Sequence, residues 1–367
     1  MATITDVMVK YNIEPKRQAF DGEGSAYYIC PFCNDSKGKL NVRPHENIWR
    51  CAKCGEGGGV IDFIQKIEDI SRKEASYKAF HLELASQDVE KARKMRERAE
   101  ASKVVTSHIL KPDELDKVYR VMLTGLSLSK RHIEDLKRRG LDDDDIFSSN
   151  YRSIPNDDSR LPAKLIKEGY RLKGVPGFYK ENGVWKMVIR NKGYLIPFIN
   201  AKGQITSLQI RCDKVKNGQK YIAFSSNGYP EGTKVKSQAH YNGSLKKMPN
   251  TLYITEGALK ADIASKLCGK IYGKETPFLA IAGVNNLKSL TPTLEYFKKK
   301  GVKRIVDCFD MDKAGNNEGV ELNPQVRKGV NKIIKTCEEL GFDVSSMHWA
   351  TGKGIDDYLL YKKSLKK

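Results

Sequence analysis

The chain has 367 residues, a hydrophobic fraction of 40% and a formal charge of +20. This length suffices for two or three domains, and because no apolar run reaches the length of a membrane span we expect no membrane association. The basic excess favours a polyanionic partner such as nucleic acid, although a lysine-rich proteome gives the same balance, and the missing signal peptide favours the reducing cytoplasm.

The first predicted element is a zinc ribbon. Four of the eight cysteines form two CxxC pairs with seventeen residues between them: Cys30, Cys33, Cys51 and Cys54. Two such pairs supply a closed tetrahedral site for a structural zinc ion, whereas disulfides or unrelated thiols are the weaker alternative. Short strands are predicted from Lys39 to Arg43 and from Asn47 to Arg50. The turn between them contains His45, which we interpret as exposed rather than as a zinc ligand.

Positive charge surrounds the predicted zinc site. Four thiolates and one Zn²⁺ carry a net negative charge, which the neighbouring basic residues more than offset: Lys37, Lys39, Arg43, Arg50 and Lys53. Lys39, Arg43 and Arg50 would attract the backbone of single-stranded DNA, and Trp49 would offer a platform for base stacking. The alternative for Trp49 is a place in the core of a small domain.

Helices are predicted after the ribbon. Apolar residues recur at helical spacing between Val60 and Ile67, and a second helix is expected through Glu74 to Leu84. Residues 86–103 are charged on all sides, which predicts a solvent-exposed helix or a flexible tether. We therefore predict a zinc-binding domain at 1–85 and a charged helical linker at 86–150.

From about residue 150 the pattern changes. Residues 184–190, 193–200 and 204–211 are predicted as short strands separated by turns. After residue 250, strand and helix patterns alternate, which indicates an α/β domain with a largely parallel sheet. The predicted fold class is therefore α/β and α+β multidomain, with a basic mixed α/β subdomain at 151–250 and an α/β domain at 251–367.

Acidic residues follow two of the predicted parallel strands. Glu256 ends the strand Leu252 to Thr255, and Asp310 and Asp312 follow the strand Arg304 to Phe309. The carboxyl ends of parallel strands line the ligand crevice of open α/β sheets, and carboxylate oxygens bind Mg²⁺ or Mn²⁺. A single acid here would be read as a helix cap or a solvated loop charge. Two acidic motifs at strand ends of one sheet favour a metal site.

Together these motifs resemble the bacterial and phage DNA primase family. CPFC…CAKC-GEGGGVIDFI resembles its zinc-binding domain, and ITEG and FDMDKAG resemble the TOPRIM fold. GYLIPFINAKGQITSLQIR followed by KYIAFSS resembles the basic subdomain that precedes TOPRIM, while GTKVKSQAHYNG and GVPGFY resemble primase-like proteins of phages and mobile elements. The order of these parts is more specific than any one motif.

The resemblance implies roles for individual residues. Those that would bind the catalytic metals are Glu256, Asp310 and Asp312, with Asp356 as an outer ligand. Those that would contact nucleotide phosphates or the template backbone are Arg211 and Lys220. Two positions where the family often has acids hold Lys260 and Gly354 instead. The outer ligand set is therefore reduced.

The implied function is a DNA primase of phage or mobile-element replication. It would make short RNA primers from ribonucleoside triphosphates on single-stranded DNA, with structural Zn²⁺ and catalytic Mg²⁺ or Mn²⁺. Because the G-x4-G-K-[ST] pattern does not occur, a helicase would be a separate partner. The alternative is a single-stranded DNA-binding replication factor, or a TOPRIM nuclease, with a repurposed metal site.

Overall fold

The computed structural model describes residues 1–101, 104, 106–216, 219–284, 286–315 and 319–366. The chain divides into two compact units. The first comprises Met1–His108, Tyr179–Gly183 and Ser226–Lys234, and the second comprises Ile109–Phe178, Val184–Ser225 and Val235–Lys367. The four-domain division predicted from the sequence remains a prediction. Its segments include residues 102–103, 105, 217–218, 285, 316–318 and 367, which lie outside the described residues.

The first unit is a zinc ribbon with flanking helices. Its elements are α1 (Ile4–Lys10), β1 (Pro15–Gln18), β2 (Ala26–Tyr28), β3 (Leu40–Arg43), β4 (Ile48–Cys51), β5 (Gly57–Gly58), α2 (Val60–Glu68), α3 (Arg72–Phe80) and α4 (Ser86–Ala101). The five strands form an antiparallel sheet in the order β1-β2-β3-β4-β5. The predicted ribbon strands agree with β3 and β4 to within one residue at each end.

An aromatic cluster forms the core of this unit. Alternation along β3 and β4 turns Leu40, Val42 and Trp49 inward, where they meet Phe63 of α2. The Trp49 ring lies edge-on to Phe63 at 5.1 Å between centroids, and its indole N–H donates to the carbonyl of Gly59 at 3.0 Å. With 2% of its surface exposed, Trp49 holds the ribbon against α2.

The charged segment 86–101 is helical. Although its sequence lacks a wide apolar face, Ala92 of α4 is fully buried. Ion pairs join the same helix to the N-terminal part of the unit, from Arg96 to Asp6 and from Lys91 to Glu14. Of the two predictions for this segment, a helix or a flexible tether, the structure has the helix. A narrow stripe of buried apolar side chains on α4 packs against the core beside these ion pairs.

The second unit contains the remaining elements. They are α5 (Pro112–Thr124), α6 (Lys130–Arg138), α7 (Asp143–Ser148), β6 (Arg152–Ser153), α8 (Arg160–Lys167), β7 (Phe178–Glu181), β8 (Val184–Met187), β9 (Gly193–Ile199), β10 (Ile205–Lys216), β11 (Gln219–Ala223), β12 (His240–Tyr241), β13 (Thr251–Glu256), α9 (Ala258–Tyr272), β14 (Phe278–Ile281), α10 (Leu287–Lys299), β15 (Arg304–Asp307), α11 (Pro324–Glu339), β16 (Asp343–Ser346) and α12 (Ile355–Ser364). The strand β7 begins in this unit and continues into the first. No helix in the described part of the chain combines the length and the apolar character that crossing a membrane requires.

Two sheets organise the second unit. The four-stranded sheet β11-β10-β9-β6 is antiparallel, whereas in β12-β14-β13-β15-β16 the last four strands are parallel. The helices α9, α10 and α11 come after β13, β14 and β15 in the chain, as the alternating pattern predicted. The predicted fold class is confirmed: a multidomain α/β and α+β protein with an N-terminal zinc ribbon and a largely parallel C-terminal sheet.

A buried polar network connects the two sheets through α9. Asp262 of α9 accepts hydrogen bonds from the Tyr151 hydroxyl at 2.7 Å and from Nε2 of His240 at 2.9 Å. Nδ1 of His240 accepts the backbone N–H of Ile199 at 3.0 Å, which leaves the proton on Nε2. Tyr151 and His240 are 0% and 1% exposed. Asp262 therefore fixes β9 relative to β12 and α9.

We expect Asp262→Ala to loosen this unit locally. The substitution leaves the Tyr151 hydroxyl and His240 Nε2–H buried without acceptors, which costs about 2–4 kcal/mol. Hydrogen-exchange mass spectrometry should show faster exchange in peptides from β9 and α9. Asp343→Ala, at an exposed position of β16, is the control and should change exchange little. Equal exchange in both variants would contradict the role of Asp262.

Candidate functional site

The four cysteines of the ribbon converge in the geometry of a zinc site. Cys30 and Cys33 precede β3, and Cys51 and Cys54 lie at the end of β4 and in the turn after it. The four Sγ atoms lie within 4.8 Å of one another, with Cys30 to Cys54 at 3.9 Å and Cys33 to Cys51 at 3.8 Å. Tetrahedral Zn–S bonds of about 2.3 Å place sulfurs roughly 3.8 Å apart, so the donor set fits zinc.

Backbone hydrogen bonds shape the first cysteine pair. The carboxylate of Asp35, which is 1% exposed, accepts the N–H groups of Cys30, Lys37 and Lys39 at 2.9–3.0 Å. Burial opposes ionisation of Asp35, but these donors lower its pKa below the usual value. Asp35 was not predicted from the sequence, although an aspartate two residues after a CxxC pair is typical of such a turn. His45 pairs with Glu100 at 3.4 Å, outside the cysteine cluster.

Replacement of Cys30 by serine should release zinc and unfold the ribbon, because zinc binding supplies roughly 10–16 kcal/mol in units of this kind. Metal analysis should find one zinc per wild-type chain and markedly less in the variant. Cys268→Ser in α9 is the control and should keep its zinc, since Cys268 lies outside the cluster. A wild-type protein purified without zinc would contradict this assignment.

The outer face of the ribbon carries a row of polar and aromatic side chains. Cross-strand register places Arg17, Tyr27, Asn41 and Arg50 opposite one another on β1 to β4. We call these four residues the outer ribbon face. The Arg17 guanidinium lies 3.7 Å from the Tyr27 ring centroid, so a cation and an aromatic ring form one platform. Tyr27 was not predicted from the sequence, although alternation in the AYY stretch already turns Tyr27 away from the buried Tyr28.

The predicted DNA-binding residues of the ribbon divide between its two faces. Arg50 and Arg43 project from the face opposite the core, and Lys39 directly precedes β3. Trp49 points the other way and is buried, so the prediction that it stacks on DNA bases is wrong. Its ring is covered by Phe32 and Phe63, which leaves no open aromatic face for a base.

Arg211 and Lys220 do not share a face of their sheet. Arg211 of β10 pairs with Tyr221 of β11, so Lys220 projects from the opposite side. The guanidinium of Arg211 lies 3.4 Å from Asp135 and above the ring of Tyr194, and its Nε has no partner among the described residues. Lys220 is exposed. The guanidinium of Arg211 is thus half-buried and held in position by its neighbours, whereas the ammonium of Lys220 is an exposed surface charge.

The three predicted catalytic acids meet at the carboxyl edge of the parallel sheet. Glu256 is the last residue of β13, and Asp310 and Asp312 follow its neighbour β15. The strand β15 ends at Asp307, two residues before the predicted end. There the Asp307 carboxylate accepts the N–H of Phe309 at 2.9 Å and pairs with the buried ammonium of Lys313 at 2.8 Å.

Two lysines lie among these acids. The ammonium of Lys260, in the first turn of α9, pairs with Asp310, and that of Lys353 pairs with Asp312 at 2.7 Å. Burial opposes the charged form of Lys260, but Asp310 and Asp356 outweigh it and raise its pKa above the usual value. Lys260 therefore remains an ammonium at neutral pH. The sequence did not predict the direct contact between Lys260 and Asp310.

Two buried carboxylate oxygens of this edge have no partner among the described residues. They are Oδ1 of Asp312 and Oδ1 of Asp356, which lies in the first turn of α12. Burial raises the pKa of Asp356 to about 6 against the opposing charge of Lys260, and burial also raises the pKa of Glu256. A buried carboxylate oxygen without a partner is energetically unfavourable, and a bound cation would remove that cost.

Comparison with known proteins gives two family matches. Residues 2–96 match the family described as "CHC2 zinc finger", and residues 243–365 match one described as "Domain of unknown function (DUF3854)". The predicted zinc ribbon is thereby confirmed, with structural Zn²⁺ as its cofactor. The second match covers β13 to α12 and carries no description of an activity.

Among curated proteins the chain is similar to bacterial DNA primases. Its alignment with the DNA primase of Listeria innocua is 374 positions long, has 24% identity and covers 98% of this chain and 54% of that protein. It is 26% identical to the DNA primase of Thermotoga maritima over 80% of this chain and 48% of that protein. The chain thus spans about half the length of the curated relatives it matches.

A solved structure of a primase aligns along the whole chain. The Aquifex aeolicus primase (zinc binding and RNA polymerase domains) is 20% identical, with a TM-score of 0.49, over 100% of this chain and 82% of that one. The ribbon match and the full-length alignment with curated primases confirm the resemblance to the bacterial DNA primase family. The phage or mobile-element subtype remains a prediction.

Proposed function

We propose that this protein is a DNA primase that synthesises short RNA primers on single-stranded DNA from ribonucleoside triphosphates. The observation that carries this proposal is the sheet edge where Glu256, Asp310 and Asp312 lie at the ends of adjacent parallel strands. A buried oxygen of Asp312 has no partner among the residues that the structure describes. The alignment of 98% of the chain with a DNA primase supports the same reaction. The zinc ribbon supports a role in template contact.

The residues of this edge suit nucleotidyl transfer. Glu256, Asp310 and Asp312 would hold Mg²⁺ or Mn²⁺, which lowers the pKa of the attacking 3′-hydroxyl and neutralises charge on the phosphates. A bond forms between the 3′-oxygen and the α-phosphorus as the bond to the pyrophosphate oxygen breaks. A cavity of about 420 Å³ adjoins Asp312 and Lys353. The Lys353 ammonium, on a side chain 53% exposed, is placed to leave Asp312 and contact a triphosphate that enters this cavity.

Asp310→Asn should reduce primer synthesis at least about 100-fold, because it removes the charge that holds a divalent cation while keeping the size of the side chain. Asp356→Asn should cost less, as an outer ligand would. The assay uses single-stranded DNA, labelled ribonucleotides and either Mg²⁺ or Mn²⁺. Asp343→Asn, an exposed substitution in the same unit, is the control. Equal activity of Asp310→Asn and wild type would contradict the mechanism.

We further propose that the outer ribbon face binds the template strand. Base stacking on an aromatic residue is worth about 1–3 kcal/mol, so Tyr27→Ala should weaken binding of single-stranded DNA about tenfold. Arg50→Ala should reduce the slope of log affinity against log salt by about 0.7 if it neutralises one phosphate. Fluorescence anisotropy across salt concentrations measures both effects.

The control for this face is Tyr77→Ala. Tyr77 is 67% exposed on α3 of the same unit but lies outside the outer ribbon face. Its replacement should leave DNA affinity unchanged. If Tyr27→Ala and Tyr77→Ala bind DNA equally well, the template does not use this face.

The alternative predicted from the sequence is a single-stranded DNA-binding factor or a nuclease with a repurposed metal site. One observation favours it, the ion pair of Lys260 with a predicted metal ligand, Asp310. The primer assay separates the two: a wild-type protein that binds DNA but makes no primers with either metal would be the alternative. A separate helicase partner and a cytoplasmic location belong to the same proposal as the primase.

A further inference from the structure

The lysine at the acidic edge of the second unit occupies a position suited to a metal ion. Lys260 projects from the first turn of α9 and its ammonium pairs with Asp310, while Asp356 and Glu256 act on it electrostatically. Its side chain is 19% exposed. A charged group this enclosed persists only when opposite charges surround it, and the three carboxylates provide them.

Gly354 leaves the space that this ammonium needs. A Cβ atom at position 354 would lie 3.1 Å from Nζ and 3.0 Å from Cε of Lys260, and 2.4 Å from Oδ1 of Asp356. The backbone does not demand glycine here, because φ is −93° and ψ is 160°, which other residues adopt readily. The missing side chain at 354 is thus explained by the lysine and Asp356 rather than by chain geometry.

The charges of this edge suit one divalent cation in the nucleotide-free protein. Glu256, Asp310, Asp312 and Asp356 face the ammonium groups of Lys260 and Lys353, which leaves two formal negative charges. Two-metal sites hold their ions about 3.5–4 Å apart between shared carboxylates. Within the described residues, the four cysteines alone bring three or more ligand atoms within 4.8 Å of one another, so the acids are not drawn together to that degree.

We propose that the Lys260 ammonium permanently takes one cation position of this edge, so that the site binds a single divalent cation through Glu256 and Asp312, with Asp310 shared between that cation and Lys260. Lys260 is then a positioning residue: it holds Asp310 and Asp356 by charge, as a second metal ion would. The inference concerns the same site as the proposed primase activity. It rests on that activity only in naming the reaction in which the bound cation takes part.

The test counts Mn²⁺ ions in nucleotide-free, zinc-loaded protein. Electron paramagnetic resonance of free Mn²⁺ during titration gives the number bound, and the ions retained by the double variant Glu256→Gln, Asp312→Asn define the surface background. Above that background, wild type should bind one Mn²⁺. The variant Lys260→Asp combined with Gly354→Asp should bind two, since it exchanges a cation for two carboxylates.

Further variants separate three effects on the number of bound Mn²⁺ ions: loss of the ammonium, gain of ligands and change of net charge. Lys260→Met removes the ammonium without adding a ligand. This variant should bind a second Mn²⁺ at least about tenfold more weakly than the first, because the second cation position is free but has few oxygen ligands. Lys274→Asp makes the same change of charge as Lys260→Asp at an exposed position in the same unit and should leave the count at one. Gly354→Asp alone should lower the melting temperature, and Lys260→Asp should restore part of that loss.

Two Mn²⁺ ions at this edge of the wild-type protein would overturn the proposal. A count of one in both Lys260→Met and the double aspartate variant, with folding intact by circular dichroism, would do the same. The counts do not depend on primer synthesis. A protein that binds one Mn²⁺ but makes no primers refutes the primase and keeps the inference, whereas primer synthesis with two bound ions refutes the inference alone.

Discussion

Carboxylates gathered at the end of a parallel sheet need positive charge, and this requirement governs the second unit. Parallel strands β13 and β15 deliver Glu256, Asp310 and Asp312 to one edge, and α12 adds Asp356. Because burial raises the pKa values of Glu256 and Asp356, the group is stable as a set of anions only with cations close by. Lysines provide part of this charge. The carboxylate oxygens that lack a partner within the described part of the chain indicate where a further cation can bind.

The loop that carries the aspartates is anchored by a second ion pair beneath them. Asp307 and Lys313 are 4% and 5% exposed in their side chains and lie 2.8 Å apart. Breaking such a buried pair leaves an uncompensated charge and costs about 3–5 kcal/mol. The pair therefore fixes the turn through Asp310 and Asp312 independently of any bound metal. A rigid turn of this kind suits a site that must place phosphates accurately.

Charge compensation also explains the first unit. The four thiolates are placed to bind zinc, and the backbone N–H of Lys53 donates to Sγ of Cys51, while Asp35 organises the first cysteine pair. The aromatic core of Trp49, Phe32 and Phe63 closes the ribbon on its inner side. As a result, the outer face is left for polar contacts, with Tyr27 and Arg17 as its aromatic and cationic parts. Template contact and metal chemistry are thus proposed on separate units of the chain.

Local patterns in the sequence were sufficient to predict the zinc ligands, the strand-end acids and the parallel sheet. These features depend on spacing and periodicity, which neighbouring residues determine. What only the tertiary structure decided was the direction of side chains relative to distant neighbours: Trp49 faces the core, and Arg211 and Lys220 lie on opposite faces of their sheet. The pairing of Lys260 with Asp310 across 50 residues is of the same kind. Such contacts depend on how helices and strands pack in three dimensions, and no local pattern encodes that arrangement.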